Sequence, residues 1–246
     1  MNLLAEILEM LPDGEVEELR IGLHWTAAVV NVGSELRCGL ASTLFGGHDH
    51  HKEADVPQAG ELEGFSGQEL ARLALGDAPT QASVGLATLN ALLPRQPQIW
   101  VDANAEEMIA AHGEGKRVVM VGHFPFVPRL RTKVKELFVL EQNPGDGDLP
   151  AEAAVQLLPT ADVAAITGMT VLNHTLEGLL GLCPSEAFVI VMGPSTPLNP
   201  LLFEHGVDVV SGSIVVDIQP VLKVVSQGGN FRQVHRAGVR LVNLLK

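Results

Sequence analysis

"RVVMVGHFPFVPRL", residues 117–130, begins as a short apolar run and turns abruptly at a glycine. Val118 to Val121 is short and fully apolar, the pattern of a strand buried on both faces of a parallel sheet. In such a sheet the loop after the strand is where ligands sit. A dinucleotide site would place Gly-x-Gly-x-x-Gly there. This loop instead offers Gly122, His123, Phe124, Pro125 and Phe126. One glycine cannot serve the tight turn, the approach to pyrophosphate and the helix packing together. The scaffold reads as nucleotide-like, and the loop does not.

Working outward, the same rhythm recurs. Leu137–Leu140, Val163–Ile166, Phe188–Met192, Val207–Val210 and Ile214–Val216 read as further strands. Helical stretches separate or follow them at Pro128–Lys135, Asn173–Leu182, Pro200–His205, Gln219–Gln227 and Asn230–Leu245. Strands alternating with helices predict a mainly parallel sheet covered on both faces, a Rossmann-like three-layer domain. On the last helix, Arg232, Arg236 and Arg240 recur opposite Phe231, Val234, Leu241 and Leu245, an amphipathic surface pattern.

Before residue 95 the texture differs. A short amphipathic helix opens the chain, and Val16–His24, Trp25–Val32 and Glu35–Ser42 form a strand meander with a turn at Asn31–Ser34. Helical patterns follow at Gly67–Leu75 and Thr80–Leu93. The expected organisation is a small α+β domain over 1–95 and the Rossmann-like α/β domain over 96–246.

Composition narrows the function. With 46% hydrophobic and 18% charged residues the chain is a folded globular protein. A net charge of −13 repels phosphate backbones and argues against nucleic acid. No apolar run approaches the ~20 residues of a membrane span. The amino terminus lacks a positive n-region, so a cytoplasmic location and reduced Cys38 and Cys183 are expected. A homodimer is the default for such a chain.

The strand-end loops hold the candidate chemistry. Gly122 and His123 follow the first strand, and Glu141 follows the second, 19 residues after Gly122. That separation is near the ~20 residues at which an acid holds a ribose, which keeps NAD or S-adenosylmethionine enzymology as an alternative. Gly168, Thr170, Asn173 and Thr175 follow the third strand, where hydroxyl and amide residues suit helix capping, anion binding or both. Gly193, Pro194, Ser195, Thr196 and Pro197 form a stiff turn after the fourth. Apart from these, His48, His50 and His51 cluster in a polar loop, a candidate transition-metal set, though the flanking Gly46-Gly47 and Lys52-Glu53 suit a solvated loop tip.

Three stretches, "VGHFPFVPRL" (121–130), "LPTADVAAITGMTVLNHTLEGLL" (158–180) and "GPSTPLNPLLFEHGVDVVSGSIVVD" (193–217), together resemble the putative heavy-metal chelation family. "ASVGLATLNALL" (82–93) is similar to the hallmark of that family's amino-terminal domain. The resemblance implies an enolase amino-terminal-like domain joined to the Rossmann-like one, with a site in the cleft between them. It carries the strand-end residues above over as binding positions, Glu141 excepted, and adds Gly85 and Asn90. Met169 stands where the family's Thr-Gly-Thr-Thr-like run has another threonine, and the histidine cluster is not part of the pattern. The function it implies is binding of a transition metal or a metal-bearing small molecule, with His123 the best nitrogen donor. No reaction is assigned.

Overall fold

The computed structural model describes residues 2–46 and 54–246. After helix α1 (Leu3–Glu9), strands β1 (Glu15–Ile21), β2 (Trp25–Val32) and β3 (Glu35–Ser42) form an antiparallel sheet in sequence order. Val32 pairs with Glu35 across a two-residue turn in which Gly33 and Ser34 have φ of 56° and 78°. Positive φ at both central residues gives the turn whose twist matches the flanking strands. Helices α2 (Gly67–Ala71) and α3 (Pro79–Leu92) follow. Helix α3 is buried almost all round, because its alanines, Gly85 and Thr88 let neighbouring backbones approach closely.

Helix α4 (Ala105–Gly113) leads into the large sheet: β4 (Arg117–Val121), α5 (Val127–Leu130), β5 (Glu136–Glu141), β6 (Leu149–Pro150) and α6 (Ala154–Leu157). There follow β7 (Val163–Thr167), α7 (Met169–Leu172), α8 (Leu176–Leu180), β8 (Phe188–Met192), α9 (Leu201–Glu204) and β9 (Val209–Val215). The chain closes with α10 (Ile218–Ser226), α11 (Phe231–Gly238) and β10 (Val239–Leu245). The seven strands lie in the order β10-β9-β8-β7-β4-β5-β6, all parallel except β10 against β9. Counted from β4, the parallel strands follow the 3-2-1-4-5-6 order of doubly wound sheets. The expected fold class, α/β with a mainly parallel sheet behind a small α+β unit, is what the chain adopts.

Side-chain alternation fills both faces. Val119, Ile166, Val191 and Val210 join the residues of α1 and α3 in one apolar cluster. Val118, Met120, Val139, Ala165 and Ile190 build a second cluster with Ile109 of α4 on the opposite face. A third joins Trp25 and Leu40 to Val215, Val221, Val225 and Val239. The small sheet is therefore packed into the large one through two of its three cores. Among the described residues no helix is long and apolar enough to cross a membrane.

Two sequence expectations are corrected. Val207–Val210 and Ile214–Val216 are not two strands but the single β9, because Gly212 stays in the ladder. A Cβ there would lie 2.7 Å from the Thr196 carbonyl oxygen, so glycine marks a close backbone approach, not a break. The helix expected over 230–245 stops at Gly238, whose φ of 138° no helix accepts. Residues 239–245 pair instead with β9, from Val239↔Val215 to Leu245↔Val209. Arg240 thus leaves the helical stripe with Arg232 and Arg236 and reaches Asp102 at 2.5 Å. The helices expected at 128–135 and 173–182 also shorten, to α5 and α8.

Candidate functional site

The loops at the carboxyl ends of β4, β5, β7 and β8 converge on a cavity of about 370 Å³. Gly122 ends β4 with φ of 102°, and a Cβ on it would lie 2.9 Å from the Thr167 Cβ. The glycine makes room for β7. Its N–H donates to the Leu140 carbonyl at 2.9 Å, and the next N–H, of His123, donates to Glu141 Oε1 at 2.6 Å. Both amides that would face a pyrophosphate are therefore committed to β5 and its end. The other two strand-end glycines behave alike: Gly168 N–H donates to the Met192 carbonyl and Gly193 N–H to that of Ser211. Glu141 thus braces the β4 loop through Oε1 and also lines the cavity.

His123 is the exposed imidazole of this cavity, and Asp148 holds it. Both Asp148 carboxylate oxygens lie 2.9 Å from His123 Nδ1, and the Asp148 side chain is only 5% exposed. In a neutral ring, a carboxylate on Nδ1 favours the tautomer with the proton there and the lone pair on Nε2. Asp148 arrives by the turn through Gly147, whose φ is 82°. After the second strand the sequence pointed to Glu141 and not to Asp148. No local pattern marks Asp148, because the partnership spans 25 residues.

Gly122, His123, Glu141, Gly168, Thr170, Asn173, Thr175, Gly193, Pro194 and Ser195 all line the cavity. Thr170 Oγ1 donates to the Thr167 carbonyl at 2.6 Å, and Asn173 Oδ1 accepts from Thr175 Oγ1 at 2.7 Å. These side chains shape the loop after β7 rather than cap α8, which has no side-chain cap. Thr196, Pro197, Gly85 and Asn90 do not line the cavity. Asn90 Nδ2 donates to the Leu40 and Ser195 carbonyls, so it supports the β8 loop from beneath. Thr196 is 1% exposed with a hydroxyl that finds no partner among the described residues, beside a small void it shares with Asn90. Pro197 faces α1, and Gly85 lies against Ala74. Sequence reasoning missed Ser42, Gln142, Thr167 and Met169 among the lining residues. Ser42 comes from the small sheet: its N–H donates to Ser195 Oγ at 2.8 Å and its hydroxyl accepts from the same oxygen at 3.1 Å. His48, His50 and His51 lie outside the described residues.

Two family models match this chain, over residues 4–93 and 104–243, and both carry the description putative heavy-metal chelation. The chain belongs to the putative heavy-metal chelation family. A family protein of unknown function from Desulfitobacterium hafniense has the same fold, with a TM-score of 0.80, 27% identity and coverage of 99% of this chain and 98% of that one. A Pyrococcus horikoshii family protein, 19% identical with the same coverages, also gives a TM-score of 0.80 and supports the fold alone. An uncharacterised protein of Methanocaldococcus jannaschii is 26% identical over 234 residues, 90% of this chain and 86% of its own.

The family description makes the donor set worth weighing. Among the described residues no group of three or more His, Cys, Asp or Glu could hold a metal ion. Burial pushes the Cys38 thiol up to about 12 and the Cys183 thiol up to about 11. Both stay protonated at neutral pH, and a thiol is not the ligand form. What the cavity offers a soft or borderline metal is His123 Nε2 and the thioether of Met169, which is 39% exposed. That pair is too few for a bare ion. The described lining holds no lysine or arginine, so nothing there balances a polyanion.

Proposed function

We propose that the strand-end cavity binds a metal-bearing small molecule and that His123 completes the metal's coordination through Nε2. The observation that carries this reading is the Asp148–His123 pair. A buried carboxylate on the distal nitrogen is how metal-binding histidines are oriented and made more basic. Hydroxyls and amides around it, from Thr167, Thr170, Asn173 and Ser195, suit the polar ligands of a chelate. The absence of lysine and arginine in the described lining favours a neutral or cationic complex over an oxyanion. On this reading the small amino-terminal domain, ending near residue 95, closes the Rossmann-like domain's site through Ser42.

The test uses tag-free protein and the nickel(II) complex of diethylenetriamine, which leaves coordination positions open for one imidazole. Calorimetry should show saturable binding to the wild type and none of diethylenetriamine alone. His123→Ala should weaken the complex at least about tenfold, the lower end for disturbing a metal ligand's support. Equal binding by wild type and variant would remove the reading.

A further inference from the structure

A second concavity, about 630 Å³, lies on the opposite face of the large sheet and shares Phe124, Gly193 and Pro194 with the first as common walls. Gly193 has φ of 126° and carries no side chain, so it forms a notch in the wall the two spaces share. One wall of the second groove is aromatic: the Phe124 and Phe126 rings stack at 5.5 Å and 21°. Phe231 and the exposed Leu241 complete its apolar lining. Ser211, 5% exposed, also lines it and can offer a hydroxyl to the groove. A polar group so buried and so placed is one that a ligand can satisfy.

The charged lining is three carboxylates, Asp102, Glu106 and Glu107, and one cation, Arg129. Asp102 pairs with Arg240 at 2.5 Å, and Glu106 with Arg129 at 2.5 Å. Glu107, also lining the groove, has no cation within ion-pair distance among the described residues. The Arg129 hydrogen bond holds Glu106 below the usual carboxylate range, so this ion pair persists into acid. Phenyl faces and an unpaired carboxylate attract the same partner, a flat apolar group bearing positive charge.

We propose that the ligand of the first cavity extends over the Gly193 notch into this groove and places there an aromatic arm with a cationic amine. The inference rests on the metal-chelate reading of the first cavity and names the rest of that ligand. The metal-bearing head meets His123, and the arm lies between Phe124 and Phe231 with its amine toward Glu107 and Ser211.

Two nickel(II) chelates with the same diethylenetriamine head separate the two ideas, one bare and one linked to a naphthylmethylammonium group. Wild-type protein should bind the extended chelate about tenfold more tightly, as burial of an aromatic ring predicts. Phe231→Ala and Glu107→Gln should erase most of that gain while leaving the bare chelate's affinity unchanged. Phe231 also packs on Trp25, at 5.7 Å between ring centroids, so Leu241→Ser, at a residue 41% exposed, repeats the test away from the core. Equal affinities in the wild type, or a gain that survives all three substitutions, would overturn the groove assignment and leave the first cavity standing if His123→Ala still weakens both. Bare-chelate binding that is absent or indifferent to His123→Ala would overturn both readings.

Discussion

Gly85→Ala is expected to lower stability by about 3 kcal/mol, the upper end for forcing an atom into a packed core. A Cβ on this residue would lie 2.0 Å from the Ala74 nitrogen and 2.6 Å from the Leu73 carbonyl carbon. Both are backbone atoms, so no rotamer change can relieve the clash. Helix α3 would have to move as a body, and it is buried against β2, β3 and α2. Gly178 in α8 supplies the control, because nothing lies within 4 Å of the Cβ it would gain. There the same substitution should be neutral or stabilise by up to about 1 kcal/mol through helix propensity. Urea midpoints read both. An unchanged midpoint for Gly85→Ala would mean that the helix does not approach so closely.

Asp148→Asn is expected to weaken chelate binding about 10- to 100-fold with little change in melting temperature. Asparagine keeps the size and one acceptor. It can also present an N–H to His123 Nδ1, which allows the proton to move to Nε2 and blocks the coordinating lone pair. The readout specific to that cause is the nitrogen NMR shift of the His123 ring. It should report protonated Nδ1 in the wild type and a mixture of tautomers in the variant. If affinity falls while the tautomer stays fixed, Asp148 acts on the shape of the loop and not on the imidazole.

How much of this was legible in the sequence depended on how local each cause was. Val118–Val121 and Phe188–Met192 announced themselves, because a strand buried on both faces must be apolar at every position. The α/β class followed from their spacing. Residues 239–245 did not, since Val239, Val242 and Leu244 fit a helical stripe as well as a strand face. The seven-residue ladder with β9 decided between them, and that partner lies 24 to 36 positions away in sequence. The site was legible by loop but not by side chain. In Gly193–Pro197 the first three residues face the cavity and the next two turn into the core, an alternation set by β3 and α3 underneath. Asp148 was invisible for the same reason: its role exists only once β4 and β5 lie side by side.

The two stretches matched by separate family models share a continuous interior. Ile7, Leu86 and Leu92 belong to the same apolar cluster as Ile166, Val191 and Val210. Neither half can lose its structure without stripping the other of buried contacts. The consequence is cooperativity: the chain should melt in one calorimetric transition, with matching calorimetric and van't Hoff enthalpies, and not in two. The two regions are then expected to behave as one thermodynamic unit, in which a change beneath α3 is felt at the loop that carries Ser195.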